Sequence, residues 1–283
     1  MMSDSQIHSL HRISELPLDK DGEIFRHYPG FKLGLTRGVD YYAQLMLPLV
    51  KEVIANHSDQ SGWIMTAPPI TAKTPAAANL LCQALFELCK QEPDFGFKDL
   101  SLIALQHESE ATWADWKDPA KPQDYARLEF ADRVAEHERL SRQLPRNNNL
   151  RGHPVLFIND IRVTGAQEQS ARLYFEVVEA AAVDWLYVIV VEPELGKSEP
   201  TLEWQINFMP FNELLRMVSS EEIQFTGKCL QRLMSLKASE LQQILSALNR
   251  ERRARLLKLA ERNGFETMDS YRDQLQLLKS VCE

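Results

Sequence analysis

From Gly38 to His57 the apolar positions Val39, Tyr42, Leu45, Met46, Leu49, Val50 and Val53 recur at intervals of three and four. That is the period of an amphipathic helix, in which Pro48 marks a kink or a break. Four short apolar runs follow it: Trp63 to Ala67, Leu100 to Leu105, Val155 to Ile158 and Trp185 to Val191. Each reads as a strand buried on both faces. Between them, Pro75 to Gln91 predicts a helix with its proline in the first turn, and Gln167 to Val178 has helical composition without Gly or Pro. Strands alternating with helices predict an α/β fold, a doubly wound parallel sheet that binds ligands at the carboxyl ends of its strands. Residues 1 to 30 are polar and broken by Pro17, Gly22, Pro29 and Gly30, so they are expected to form an irregular N-terminal segment. Glu203 to Phe208 is expected to add an edge strand.

Residues 106–145 form an insertion. Its first part, Gln106 to Gln123, is polar and aperiodic, and a stretch of that length inside a domain points to a functional segment. Its second part, Tyr125 to Gln143, is charged and helical in composition. After residue 222 the character changes. Leu241, Ile244, Leu245 and Leu248 are spaced for a helix, with Ser239 and Gln242 as a capping box. Leu256 to Ala260 continues the pattern as far as Asn263-Gly264, and Ser270 to Val281 supplies another helix. Charge divides at the same place. Residues 223–283 hold 11 Lys or Arg against 7 Asp or Glu, a net +4, so a total of −8 leaves −12 for the remainder. The chain is therefore read as an α/β domain over 1–222 and a helical extension over 223–283.

Composition narrows the function classes. The acidic balance argues against a general nucleic-acid binder. No apolar run approaches the length of a membrane span, and the first twelve residues lack the apolar core of a secretory signal. Cys82, Cys89, Cys229 and Cys282 form no close pair, which fits reduced thiols in a cytoplasmic protein. Cys82 and Cys89 stand seven apart on one helix face, as core residues do.

The chemistry concentrates in His153 to Ser170, HPVLFINDIRVTGAQEQS. Here a strand ends in Asn159 and Asp160, a small-residue turn runs through Val163, Thr164, Gly165 and Ala166, and a helix starts near Gln167. Free N–H groups at the helix start, together with the positive end of its dipole, face any anion in the turn. The Asp160 carboxylate is suited to hydroxyls or a cation beside it. The same string allows a plainer reading, a strand–turn–helix corner of an α/β sheet.

Four apolar residues, a polar-acidic pair and a Thr-Gly turn resemble the ribose-phosphate fingerprint of the type I phosphoribosyltransferases. DIRVTGA is similar to the version in phosphoribosyltransferase-like proteins of bacterial tellurite-resistance and stress gene clusters. The resemblance is sharp over about a dozen residues, looser over Phe31 to Glu192, and does not reach the C-terminal sixty or so. It implies 5-phosphoribosyl-1-pyrophosphate and a base-like small molecule as ligands, magnesium as cofactor and a homodimer. It assigns the 5-phosphate to Val163, Thr164, Gly165, Ala166 and Gln167. Asp160 and Asn159 become the catalytic pair, with Asp160 also an indirect magnesium contact. By position, Thr71, Lys73 and Thr74 correspond to the pyrophosphate loop. The insertion, with Trp113, Trp116, Lys117, Lys121, Tyr125, Arg127 and Arg133, corresponds to a lid. Asn159 stands where the family usually has an acid. That change keeps hydrogen bonds and removes a charge, so it is expected to weaken catalysis more than binding.

Two function classes follow. One is a magnesium-dependent phosphoribosyltransferase, working forward or in reverse, in a stress-linked nucleoside-like pathway. The other is a catalytically weak or inactive regulator that senses the phosphoribosyl ligand and acts through its C-terminal helices. Other signals have plainer readings. Lys73 reads also as a solvated loop lysine, His107 with Glu108 and Glu110 as a surface loop, and Arg250 to Lys258 as a solvated helix face.

Overall fold

The computed structural model describes residues 6–18, 22–57, 62–70, 74–92, 99–105 and 147–282. The predicted insertion, residues 106–145, lies outside them, as do Thr71 and Lys73. Five strands form one sheet: β1 (Ile7–Ile13), β2 (Ile64–Thr66), β3 (Ser101–Leu102), β4 (Pro154–Arg162) and β5 (Ala182–Val191). Their order is β1-β5-β4-β2-β3 and every pairing is parallel. Helices α1 (Glu23–Leu33), α2 (Thr36–Asn56) and α3 (Ala77–Gln91) cover one face, and α4 (Ala166–Val177) covers the other.

Alternation along β4 explains why both faces are apolar. Leu156 and Ile158 join the cluster that holds Tyr28, Tyr42, Met46 and Leu81. Val155 and Phe157 join Phe175, Val183 and Trp185 on the opposite side. A strand with two buried faces needs a continuous apolar run, which is what Val155 to Ile158 supplies. After β2 the chain turns outward to β3, whereas after β4 it turns the other way to β5. The loops leaving β2 and β4 therefore part to opposite faces and leave a crevice at their carboxyl ends.

Two expectations are corrected. The segment 1–30 is not irregular in its described parts, because Ile7–Ile13 is an edge strand paired with β5 and Glu23–Leu33 is helical. Its apolar residues are sparse because only one side of β1 has a neighbour. Pro29 and Gly30, read as breakers, sit inside α1, where Gly30 packs against Leu35 and Met217. Glu203 to Phe208 is not an edge strand but a short helix. Leu202 and Ile206, four apart, bury one side of it.

Beyond β5 the chain is helical: α5 (Pro193–Ser198), α6 (Leu202–Ile206), α7 (Phe211–Ser219), α8 (Gly227–Met234), α9 (Ala238–Ala247), α10 (Arg250–Arg262) and α11 (Arg272–Ser280). From α7 on they enclose a separate apolar cluster that includes Leu230, Leu241, Ile244, Leu256, Phe265 and Leu278. Helix α9 starts two residues earlier than the Ser239–Gln242 box predicts. Glu240 accepts a hydrogen bond from the Lys237 backbone N–H at 3.2 Å, so Lys237 is the cap. No described helix is long and apolar enough to cross a membrane.

Candidate functional site

A cleft of about 180 Å³ opens at the carboxyl end of β4, lined by residues 159–168, by Pro68 and Ala76 after β2, and by Lys32, Tyr187 and Glu203. It gathers the whole predicted turn with both polar residues before it. Strand pleating sets their roles apart. Asn159 shares the face of Val155 and Phe157, so it points to α4, where its Nδ2 donates to Gln167 Oε1 at 2.8 Å. Asp160 shares the face of Leu156 and Ile158 and so points to α1, where its carboxylate meets Lys32.

Gly165 caps α4 with φ of +78°, a left-handed conformation that a side chain would strain. The turn is further tied by Thr164 Oγ1, which accepts from the Ala166 N–H at 3.4 Å. Behind the turn lies a buried carboxylate. Glu168 accepts from Arg162 Nε at 2.6 Å and from Arg172 Nε and Nη2 at 2.9 and 2.8 Å, and the Arg172 guanidinium stacks 4.9 Å from the Trp185 ring. Arg162, which lines the cleft, is thus tied to α4, and Arg172 holds Glu168 from one turn further along that helix.

Lys32 was not singled out by sequence. Its side chain is 12% exposed, and its ammonium pairs with Asp160 and, at 2.8 Å, with Glu203. Burial pushes its pKa down, but the charges and hydrogen bonds of Asp160 and Glu203 outweigh that, and the net shift is upward. The lysine stays charged. The fully buried Tyr28 ring lies 6.0 Å beneath it. Burial first, then Asp160, Glu203 and Tyr42, raise the Tyr28 hydroxyl pKa well above the usual range. No pattern in a single sequence links Lys32 to Asp160 and Glu203. The apolar positions Tyr28, Phe31 and Leu33 were the one signal that a helix brings it there.

Thr74 does not face the cleft. It is buried, and its Oγ1 accepts a 2.6 Å hydrogen bond from Asn263 Nδ2 in the C-terminal helices. The Thr74 hydroxyl, expected at the pyrophosphate, is thus engaged with the C-terminal helices. Thr71 and Lys73 fall outside the described residues. The site's donors also bear on magnesium. Asp160 Oδ1 accepts from the Ile161 N–H at 2.7 Å, its Oδ2 meets Lys32, and Asn159 replaces a second acid. Among the described residues no three His, Cys, Asp or Glu converge as a metal group. These donors do not make a cation seat of their own, because an ammonium already sits where a cation would.

A parallel sheet with a strand, an acid, a Thr-Gly turn and a helix at its central carboxyl end is the type I phosphoribosyltransferase-like architecture. The chain belongs to the PRTase ComF-like family, whose model matches residues 5–278. That match extends the resemblance, which by fingerprint ends near Glu192, through the C-terminal helices. No curated protein matches the chain.

Proposed function

We propose that the cleft binds a phosphoribosyl ligand and transfers its phosphoribosyl group to a base-like acceptor, or catalyses the reverse. What carries the reading is the coincidence in one cleft of the α4 N-terminus, opened by Gly165, with the carboxylate of Asp160. The 5-phosphate lies against the N–H groups of the turn 163–167, helped by the Thr164 hydroxyl. Asp160 and Asn159 accept the ribose hydroxyls. Departure of pyrophosphate builds positive charge on the ribose ring, and Asp160 stabilises it once its own charge is no longer spent on Lys32. Magnesium enters this proposal only as a companion of the diphosphate. A stress-linked nucleoside-like pathway, a cytoplasmic site of action and a homodimer complete it. The free, buried thiols of Cys82, Cys89 and Cys229 support a reducing compartment.

The pairing of Lys32 with Asp160 favours a second reading, a regulator that binds the ligand without turning it over. Calorimetric titration with 5-phosphoribosyl-1-pyrophosphate, with and without magnesium, followed by an acceptor screen for pyrophosphate release, separates the two. Binding lost in Asp160→Ala supports the site, and release that also depends on Asp160 supports the enzyme. Binding without release under every acceptor favours the regulator. Turnover that persists in Asp160→Ala rejects the site altogether.

A further inference from the structure

Arg162 ends β4 as its one residue that is not buried, and it belongs to neither the polar-acidic pair nor the Thr-Gly turn. Its side chain, 18% exposed, nevertheless lines the main cleft together with Thr164 and Gly165. One bond fixes its direction, from Nε to Glu168 Oε2 at 2.6 Å. Glu168 is buried and is held in turn by Arg172 and, at 3.5 Å, by the Tyr187 hydroxyl. A planar guanidinium anchored at Nε presents its remaining N–H groups, on Nη1 and Nη2, in set directions. Neither Nη1 nor Nη2 has a hydrogen-bond partner among the described residues, and neither is sealed from solvent.

The turn leaves room for this group. A Cβ on Gly165 would lie 3.1 Å from Arg162 Nη2, 3.4 Å from its Cζ and 3.6 Å from its Nε. The guanidinium therefore rests on the side of Gly165 where other residues carry a side chain. Two kinds of donor border the same cleft, the backbone N–H groups at the start of α4 and the Nη groups of Arg162. The cleft holds about 180 Å³, and one water needs roughly 10–15 Å³, so a phosphate group fits beside Arg162. We propose that Arg162 is a binding residue of this cleft, its Nη groups holding a terminal phosphate against the α4 turn. A guanidinium fork matches two oxygens of such a phosphate. Because Glu168 engages Nε, the Nη donors are not taken from it when the anion arrives. The arginine is already braced, so little of its freedom is lost on binding. That the phosphate is the 5-phosphate of a ribose rests on the phosphoribosyl reading, whereas the contact itself needs only a phosphate.

The test titrates the full-length protein with inorganic phosphate and, separately, with ribose 5-phosphate. Arg162→Gln is expected to weaken both by about tenfold or more, as loss of a charge-assisted contact does. Arg162→Lys keeps the charge without the fork and is expected to stay several-fold weaker than wild type. Arg172→Gln is the control, because Arg172 holds the same carboxylate but does not line the cleft. It should lower the melting temperature and leave both affinities unchanged. Thermal unfolding checks that each variant folds, and Arg162→Lys carries the test if Arg162→Gln does not. Failure of wild-type protein to bind either probe overturns the contact, as does full recovery in Arg162→Lys or an equal loss in Arg172→Gln. Phosphate binding that needs Arg162, without any binding of ribose 5-phosphate, leaves the contact standing and removes the phosphoribosyl reading. Ribose 5-phosphate binding that ignores Arg162 does the reverse.

Discussion

The ammonium of Lys32 is ion-paired with the carboxylate of Asp160, 128 residues further along the chain, and also holds Glu203. The acid proposed to act on the ligand is thus already neutralised from within. Removing the lysine exposes two buried carboxylates to each other. Lys32→Met is expected to lower stability by about 3–5 kcal/mol, as when one partner of a buried ion pair is deleted. Urea unfolding measures it, and a loss well under one kcal/mol contradicts the pairing.

The same pair has a pH signature. Because the folded pKa of Lys32 lies above its ordinary value of 10.5, the stability it adds is complete below that value. It fades only as pH rises through the raised folded value. The stability gap between wild type and Lys32→Met should therefore stay constant from neutral pH to about 10.5 and narrow above it. A gap that closes between neutral pH and about 10.5 shows that the lysine is not held by these acids.

Gly165 carries the turn before α4 at a φ of +78°, and an added Cβ lies 3.1 Å from Arg162 Nη2, the movable end of a side chain. Gly165→Ala should therefore cost about 1 kcal/mol, mainly through the backbone. Gly165→Val, bulkier beside the helix start, should abolish ribose 5-phosphate binding in titration while the protein still unfolds cooperatively. Undiminished binding in the valine variant places the phosphate elsewhere.

Gly196 supports the turn from behind. A Cβ there would stand 2.1 Å from the Val163 carbonyl oxygen, and neither backbone can yield without moving the turn. Gly196→Ala is expected to destabilise by about 2–3 kcal/mol, in the range of overpacked sites, and to weaken phosphate binding together with stability. Thermal unfolding and titration of the same variant test both. An unchanged melting temperature overturns the close contact.

Asn263 ends α10 and reaches back to Thr74, with both residues buried. Asn263→Ala leaves the Thr74 hydroxyl without its donor and should cost about 1–3 kcal/mol. A double-mutant cycle with Thr74→Val should show coupling of about 1 kcal/mol. Additive effects would mean that the bond between Asn263 and Thr74 contributes nothing to stability.

Apolar runs such as Val155 to Ile158 and Trp185 to Val191 determine by themselves that buried parallel strands form, since a strand covered on both faces has no other way to satisfy its surroundings. The Thr-Gly turn likewise announces a helix start, because left-handed backbone and free N–H groups are local properties of Thr164 to Gln167. Ile7–Ile13 and Leu202–Ile206 were misread because an edge strand and a five-residue helix bury too little to impose a period. Local sequence also cannot encode which distant charges meet. The approach of Lys32 to Asp160 and Glu203 depends on α1 packing across the β4 end. The fastening of α8 to α1 depends likewise on a distant pair, the Thr226 hydroxyl and the Lys32 carbonyl. Sequence determined that a glycine turn opens a helix at the end of β4. Tertiary packing decided which charges surround it, because electrostatic neighbours are set by distance in space and not along the chain.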